Sequence, residues 1–409
     1  MLLTRALTSY FRSFQGLTRD VWMLSLVMLV NRSGAMVVPF MAVYLTQELG
    51  FSKVQAGVAL SCFGVGSVVG SLSGGYLSDR FSYYWVQLWS LVFTGLGFLL
   101  LSQVTDYVGF CVSVLLLAMV AESFRPANQV AILVYSTPSS LTRSLSLNRM
   151  AINLGFSIGP ALGGWLAHYL GFTWLFVVDA VTCWLAAIVF WRLLKPVEEV
   201  VVAEDRTSDV RSGRLAAFRD GRYLVFLGLV VWLAVAFMQF FYVVPVYLRE
   251  VFHWSESTIG TLLALNGLII VLAEMPIIKR MEGRFRKLAI LQIGSVFIGI
   301  SYVVYALVGI WALIPWVSIV LVTLGEIFSL PFANAVAQQR SSPWSRGSYM
   351  ALYSASFSLA HIIAPSLGLQ VAGRYGYEVV WWMLGGIALL ALLGFRMMIN
   401  RLEPERAGV

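Results

Sequence analysis

The sequence predicts an all-α membrane protein with twelve transmembrane helices in two pseudo-symmetric six-helix bundles. Three observations lead there: a scarcity of charge, twelve apolar stretches of bilayer length, and a half-chain offset at which the same residues recur.

The chain has 409 residues, of which 59% are hydrophobic and 12% charged. A soluble domain carries about 25% charged residues, so this surface is built to meet lipid rather than water. The bilayer core takes about 20 largely apolar helical residues per crossing, and an open chain cannot satisfy its backbone there in any other form. Twelve segments qualify: 21–45, 55–77, 84–102, 108–135, 147–169, 172–193, 222–248, 257–278, 288–309, 311–336, 347–370 and 378–398. They divide the chain into a cytoplasmic N-terminal segment (1–20), a first six-helix bundle (21–193), a charged cytoplasmic linker (194–221), a second bundle (222–398) and a cytoplasmic tail (399–409). The first apolar segment is too long for a signal peptide and is expected to be retained as span 1.

Orientation follows the Lys/Arg bias of the loops. With both termini cytoplasmic, only Lys53, Arg249 and Arg374 of the 28 Lys+Arg fall outside, while Arg32 and Arg125 lie within spans. Topology therefore explains the net charge of +8, and no nucleic-acid partner is called for. Cys62, Cys111 and Cys183 all fall in apolar runs, which suits buried thiols better than a disulfide or metal framework.

The halves echo each other. AESFRPAN (121–128) in span 4 matches GEIFSLPFAN (325–334) in span 10. Arg143 corresponds to Arg346, and GPALGG (159–164) in span 5 to APSLGL (364–369) in span 11, all offset by 203 to 206 residues. A six-helix unit duplicated in parallel is the mark of one transporter architecture, with its site at the midplane.

On these residues the chain resembles the major facilitator superfamily over essentially its full length, and is most similar to the 12-span drug–proton antiporters. The loop between spans 2 and 3 reads GGYLSDRF (74–81), similar to the family's G-x-L-a-D-R-x-G-R-K signature. It keeps Gly75, Leu77, Asp79 and Arg80 but has Ser82, Tyr83 and Tyr84 where Gly-Arg-Lys is usual. Span 1 carries Pro39, as the antiporters' first span does. Span 5 matches the antiporter motif G-x-x-x-G-P-x-x-G-G in full, with Gly155, Gly159, Pro160, Gly163 and Gly164. Small residues at this spacing let a neighbouring helix approach closely, and the proline bends the span. The resemblance implies export rather than uptake. It also implies a cytoplasmic charge cluster around Asp79 and Arg80, with Arg143 as partner, of altered composition because Arg-Lys is missing.

Ionisable side chains within spans are expensive and mark pathways. Those here are Arg32, Glu122, Arg125, Asp179, Glu274, Glu326 and His361. Glu122, Arg125 and Gln129 share one helical face, either as a structural ion pair or as a working group. The span 10 copy keeps the acid, Glu326, but has Ser329 and Leu330 where Arg125 stands. An acid in that setting suits reversible protonation, so Glu326 is the first candidate for proton coupling and Glu122 the second. His361, Asp179 and Glu274 follow, each equally readable as a packing or interfacial residue. The resemblance places spans 1, 4, 7 and 10 around the cavity, so Asn31, Arg32, Arg125, Asn128, Gln239, Tyr242 and Asn334 are candidate substrate contacts.

The expectation is a proton-driven exporter of small amphiphilic or drug-like compounds, monomeric, in the bacterial cytoplasmic (inner) membrane among its lipids. Its energy source would be the proton gradient, with no cofactor or metal. The alternative is proton-coupled uptake, for instance of peptides, although the E-x-x-E-R motif expected in span 1 is absent; a sensor or lipid translocator is further off. No P-loop, HExxH, GxSxG or CxxC pattern occurs, so no enzyme is expected.

Overall fold

A computed structural model describes residues 16–137, 140–197, 216–281, 284–308, 311–341 and 346–402. Among the described residues every regular element is a helix, and twelve helical segments are long and apolar enough to cross a membrane. Span 1 is broken into α1 (Arg19–Ser33) and α2 (Val37–Gln47). Spans 2 to 6 are α3 (Lys53–Arg80), α4 (Tyr83–Leu101), α5 (Tyr107–Tyr135), α6 (Leu141–Leu170) and α7 (Thr173–Leu193). After the short α8 (Ala216–Arg219), span 7 divides into α9 (Gly221–Tyr242) and α10 (Val244–Glu250). Spans 8 to 12 are α11 (Glu256–Met281), α12 (Lys287–Val308), α13 (Ile314–Arg340), α14 (Arg346–Tyr375) and α15 (Tyr377–Leu402).

The chain forms two compact units, and their border does not follow the linker. One comprises Met1–Phe40 with Val65–Val200; the other comprises Met41–Gly64 with Val201–Val409. The hairpin made by most of α2 and the first part of α3 thus packs with the later helices. Helix pairing repeats between the chain's halves. α4 packs on α5 and α7 as α12 packs on α13 and α15, and α1 packs on α6 and α7 as α9 packs on α14 and α15.

Within the first unit, glycines set the helix approaches. A Cβ at Gly66 or Gly70 of α3 would collide with the carbonyl oxygens of Leu115 or Met119, and one at Gly74 would lie 2.5 Å from the Cα of Ser123. This four-residue stripe seats α3 on α5. The antiporter motif of α6 does the same against span 1. Added carbons at Gly155, Gly159 and Gly163 would fall 2.5 Å from Arg32 Cβ, 3.2 Å from the Ala35 carbonyl oxygen and 2.9 Å from Met36 Cβ. The motif therefore tracks the break in span 1 step by step.

The break itself needs support, because an unsatisfied backbone N–H is costly at membrane depth. Asp179 of α7 supplies it. Its carboxylate accepts from the N–H of Met36 (3.0 Å) and of Val37 (3.0 Å), and it is 1% exposed. The sequence expectation of proton coupling at Asp179 gives way here to a capping task at the start of α2. Span 7 breaks more gently. Val243 stays helical and its N–H reaches the Gln239 carbonyl (2.9 Å), so no acid is required. A Val-Val-Pro triplet follows the break in span 1 (37–39) and contains the one in span 7 (243–245), a further echo between the halves.

In the second unit the hairpin is held by polar contacts. Ser61 donates to the Ile362 carbonyl (2.6 Å) and meets Ser366 Oγ (2.7 Å), which itself donates to the Gly57 carbonyl (3.2 Å). Further out, Lys53 Nζ pairs with Glu250 (2.7 Å) and lies 4.5 Å from the centre of the Tyr377 ring. The Tyr377 hydroxyl donates to the same carboxylate (2.7 Å).

Two outcomes follow from this packing. Asp179→Ala strands the Val37 N–H, at about 1–3 kcal/mol, leaves the Met36 N–H only its contact with the Gly34 carbonyl (2.8 Å), and should lower the thermal unfolding temperature in detergent. Asp179→Asn, which keeps one acceptor, should lower it less. Cysteines placed together at 61 and 366 should form a disulfide on mild oxidation. With a protease site in the 198–215 segment, the two cleaved halves would stay joined on a non-reducing gel.

Candidate functional site

Arg32 and Asp179 lie at the break in span 1. Arg32 occupies the last turn of α1, its guanidinium 5.5 Å from the centre of the Phe156 ring. Its Nε is buried with no hydrogen-bond partner. Asn31 donates to Cys183 Sγ (3.6 Å). On α5, Arg125 approaches Glu122 only to 3.9 Å, with 70% of the arginine side chain exposed. The pair exists, but its length and exposure make it a loose one. Asn128, expected on a cavity wall, is 1% exposed and packs inside the unit. Of the cysteines only Cys183 is buried; Cys62 and Cys111 are partly exposed.

The second unit holds a different arrangement. Asn266 of α11 donates through Nδ2 to Thr323 Oγ1 (2.9 Å) and to Glu326 Oε2 (3.0 Å) on α13. Thr323 gives its own hydroxyl proton to the Ile319 carbonyl (2.6 Å), so its oxygen can only accept from the amide. That fixes which way Asn266 points and aims an N–H at Glu326. Glu326 and Ser329 also line a small, partly open pocket that is otherwise apolar, with Phe237, Leu291, Ile298 and Phe357 in its wall. The Ser329 hydroxyl is buried there without a partner.

Two residues expected to line a cavity are instead packed within this unit. Gln239 is fully buried, donates to the Ala364 carbonyl (2.8 Å) and fills the space above Gly368. Tyr242 is 3% exposed, and its hydroxyl lies 3.1 Å from His361 Nδ1. A presumed substrate contact and a presumed proton carrier are therefore one hydrogen-bonded couple. Asn334 accepts from Gln338 (2.6 Å) along its own helix, and Glu274 is buried in α11.

The loop signature is partly visible. The side chains of Asp79 and Arg346 lie outside the described residues. Arg80 donates to Tyr76 (3.1 Å) and lies against the Phe81 ring, and Arg143 is exposed at the start of α6. A Cβ at Gly75 would meet no atom within 4 Å, so Gly74 rather than Gly75 makes the close approach. The departure from Gly-Arg-Lys has a structural explanation. Ser82 stands at the glycine position with φ of 140°, a region glycine tolerates best. Tyr83 and Tyr84 are buried against Tyr135 and Phe190. Their hydroxyls, with that of Tyr135, bind the backbone of Val197, Leu194 and Lys195. Tyrosines thus tie down the chain leaving α7 where a basic pair is usual.

Against this geometry, the comparisons decide the family. The Major Facilitator Superfamily profile matches residues 22–343. The chain belongs to that superfamily. It is a transporter of the multi-pass membrane type and not an enzyme. It is 26% identical over 372 residues to an uncharacterized MFS-type transporter of Bacillus subtilis strain 168, covering 88% of each chain. It is 25% identical to a Na(+), Li(+), K(+)/H(+) antiporter of Planococcus maritimus (88% of this chain, 91% of that one). To the multidrug resistance protein MdtH of Proteus mirabilis it is 24% identical (93% and 94%). Among solved structures it is similar to a POT family transporter in complex with 5-aminolevulinic acid, at TM-score 0.76 and 18% identity (95% and 98%). It is also similar to a peptide transporter POT in complex with sulfate, at 0.78 and 17% (95% and 96%). At that identity the likeness is one of fold.

Sequence reasoning missed two polar groups of this facilitator. Asn266 escapes the sequence reading because it is not ionisable and span 8 is not among the spans that the resemblance places around the cavity. The other is a cluster at the start of α9 in the second unit. Asp220 caps α9, accepts from Arg340 Nε (2.7 Å) and from the Tyr349 hydroxyl (3.0 Å), and binds the Tyr223 N–H (3.2 Å). Burial pushes the Asp220 carboxyl up, but these donors outweigh it and hold its pKa below the usual aspartate value. Its contribution is therefore present above about pH 4 and fades as pH falls through the lower, folded value. Asp220→Asn should unfold at a lower temperature than the parent at pH 7. The gap should close as the pH drops below about 4.

Proposed function

We propose that this facilitator is a proton-driven exporter of small amphiphilic compounds working by alternating access, with Glu326 as the coupling acid. The observation that carries the reading is the fixed Asn266 amide. An N–H donor grips a charged carboxylate about twice as strongly as a neutral acid. Protonation of Glu326 therefore loosens the tie between α11 and α13, and deprotonation restores it. Proton loading is converted into a change in helix contact inside the unit.

Export is supported by the complete antiporter motif of α6, whose glycines seat the break in span 1, and by relatives named as an antiporter and as a multidrug resistance protein. Alternating access further requires the 41–64 hairpin to part from α14, so the Ser61–Ser366 contact opens and closes in each cycle. The chain acts as a monomer in a bacterial inner membrane with both termini cytoplasmic, and the proton gradient is its energy source. Peptide uptake is less favoured, since the likeness to peptide transporters is of fold alone and span 1 lacks E-x-x-E-R.

The test is transport in proteoliposomes with an imposed pH gradient, using a panel of dyes and drugs with a Na⁺ arm. Accumulation on the acidic side is expected. Accumulation on the alkaline side would replace antiport with symport, and indifference to pH would remove the proton. Glu326→Gln should abolish gradient-driven transport while sparing substrate exchange. The disulfide between cysteines at 61 and 366 should halt transport until it is reduced.

A further inference from the structure

The charged side chains within the spans of the first unit include Arg32, Glu122, Arg125 and Asp179. Asp179 is committed elsewhere, with its oxygens on the backbone of Met36 and Val37. That leaves one acid, Glu122, to serve two guanidinium groups, and both act electrostatically on one another across the site. Glu122 serves neither closely. Its single contact with Arg125 is 3.9 Å long, where a bidentate arginine–carboxylate pair would make two bonds near 2.8 Å. Arg32 has no carboxylate within 4.0 Å among the described residues, and its buried Nε has no partner. Phe156 lies under the Arg32 guanidinium and is 42% exposed.

A cation in a low-dielectric span without its counter-charge is costly and marks a pathway or a ligand. The surplus here is one positive charge on two planar forks, the geometry that recognises carboxylate, sulfonate or phosphate groups. An aromatic face lies beside it. We propose that Arg32 and Arg125 form an anion-recognition site, and that the transported compounds include amphiphilic organic anions, with an acidic group on the arginines and an apolar body on Phe156. Glu122 is the built-in competitor. It holds Arg125 loosely in the empty site and yields when the ligand's acid arrives.

This rests on the reading of the chain as an exporter of amphiphiles, but its test needs no gradient, so the two can fail separately. The full chain in zwitterionic-lipid nanodiscs is titrated by equilibrium dialysis with 2-naphthoate and with 2-naphthyltrimethylammonium, empty discs serving as the blank. Naphthoate should bind at least about tenfold tighter than the ammonium probe, the worth of one charge-assisted bond. Arg32→Gln and Arg125→Gln should each lose that preference, and Arg125→Lys should keep part of it. Glu122→Gln, which removes the competitor, should tighten naphthoate binding several-fold, a gain that misfolding cannot imitate. Equal binding of the two probes, no binding of either, or weaker naphthoate binding in Glu122→Gln would overturn the proposal.

Discussion

The carboxylate of Asp179 under the break in span 1 is the contact on which most of the first unit depends. Residues 34–36 leave the helix, and a bilayer offers no water to bind the N–H groups this frees. One buried acid takes both the Met36 and the Val37 N–H, and thereby fixes α7 against the turn. Gly34 completes the fit, because any side chain there would collide with Thr182 on the same helix. With the turn pinned from α7, the glycines of α6 can follow its surface at Arg32, Ala35 and Met36. The position of Arg32, and with it the charge pattern of the unit, is a consequence of that arrangement.

The second half solves the equivalent problem by other means. Span 7 bends at Val243 without losing its ladder, so the position corresponding to Asp179 needs no acid. A buried amide does the joining instead, Gln239 reaching the Ala364 carbonyl, with Gly368 making room for it. The same parts recur, a small residue on one span facing a bend on its neighbour. The strength of the bend decides whether a charge must be buried to hold it.

Much of this was legible in the sequence because lipid imposes simple rules. Apolar length gave twelve spans, and the offset between AESFRPAN and GEIFSLPFAN gave the duplication. The antiporter motif gave the glycines that touch span 1. What escaped was polar and local. The break at 34–36 has no strong marker, since Gly34 is a lone glycine and Pro39 lies beyond the turn. Asp179 looked like a proton carrier because a sequence shows an acid in a span and not what it faces. Asn266 is hard to single out because its role is to donate to a group 60 residues and two spans away in the chain, at Glu326. Tyr83 and Tyr84 read as losses from a basic signature, whereas the fold uses them to anchor residues 194–197.

Divergence between the copies of the repeat separates two tasks that a symmetric ancestor would have had to combine. An arginine stays charged at any accessible pH, so Arg32 and Arg125 give the first unit a fixed positive field. In the proposed reading Glu326, with its amide donor from Asn266, is the acid that exchanges a proton, a role that an arginine in place of Ser329 would oppose. On the two proposals above, keeping the arginine in span 4 and losing it from span 10 leaves one copy to hold an anion and the other to exchange a proton. On the proposed reading, an arginine at position 329 would join the functions again, because a cation one turn from Glu326 favours its charged form.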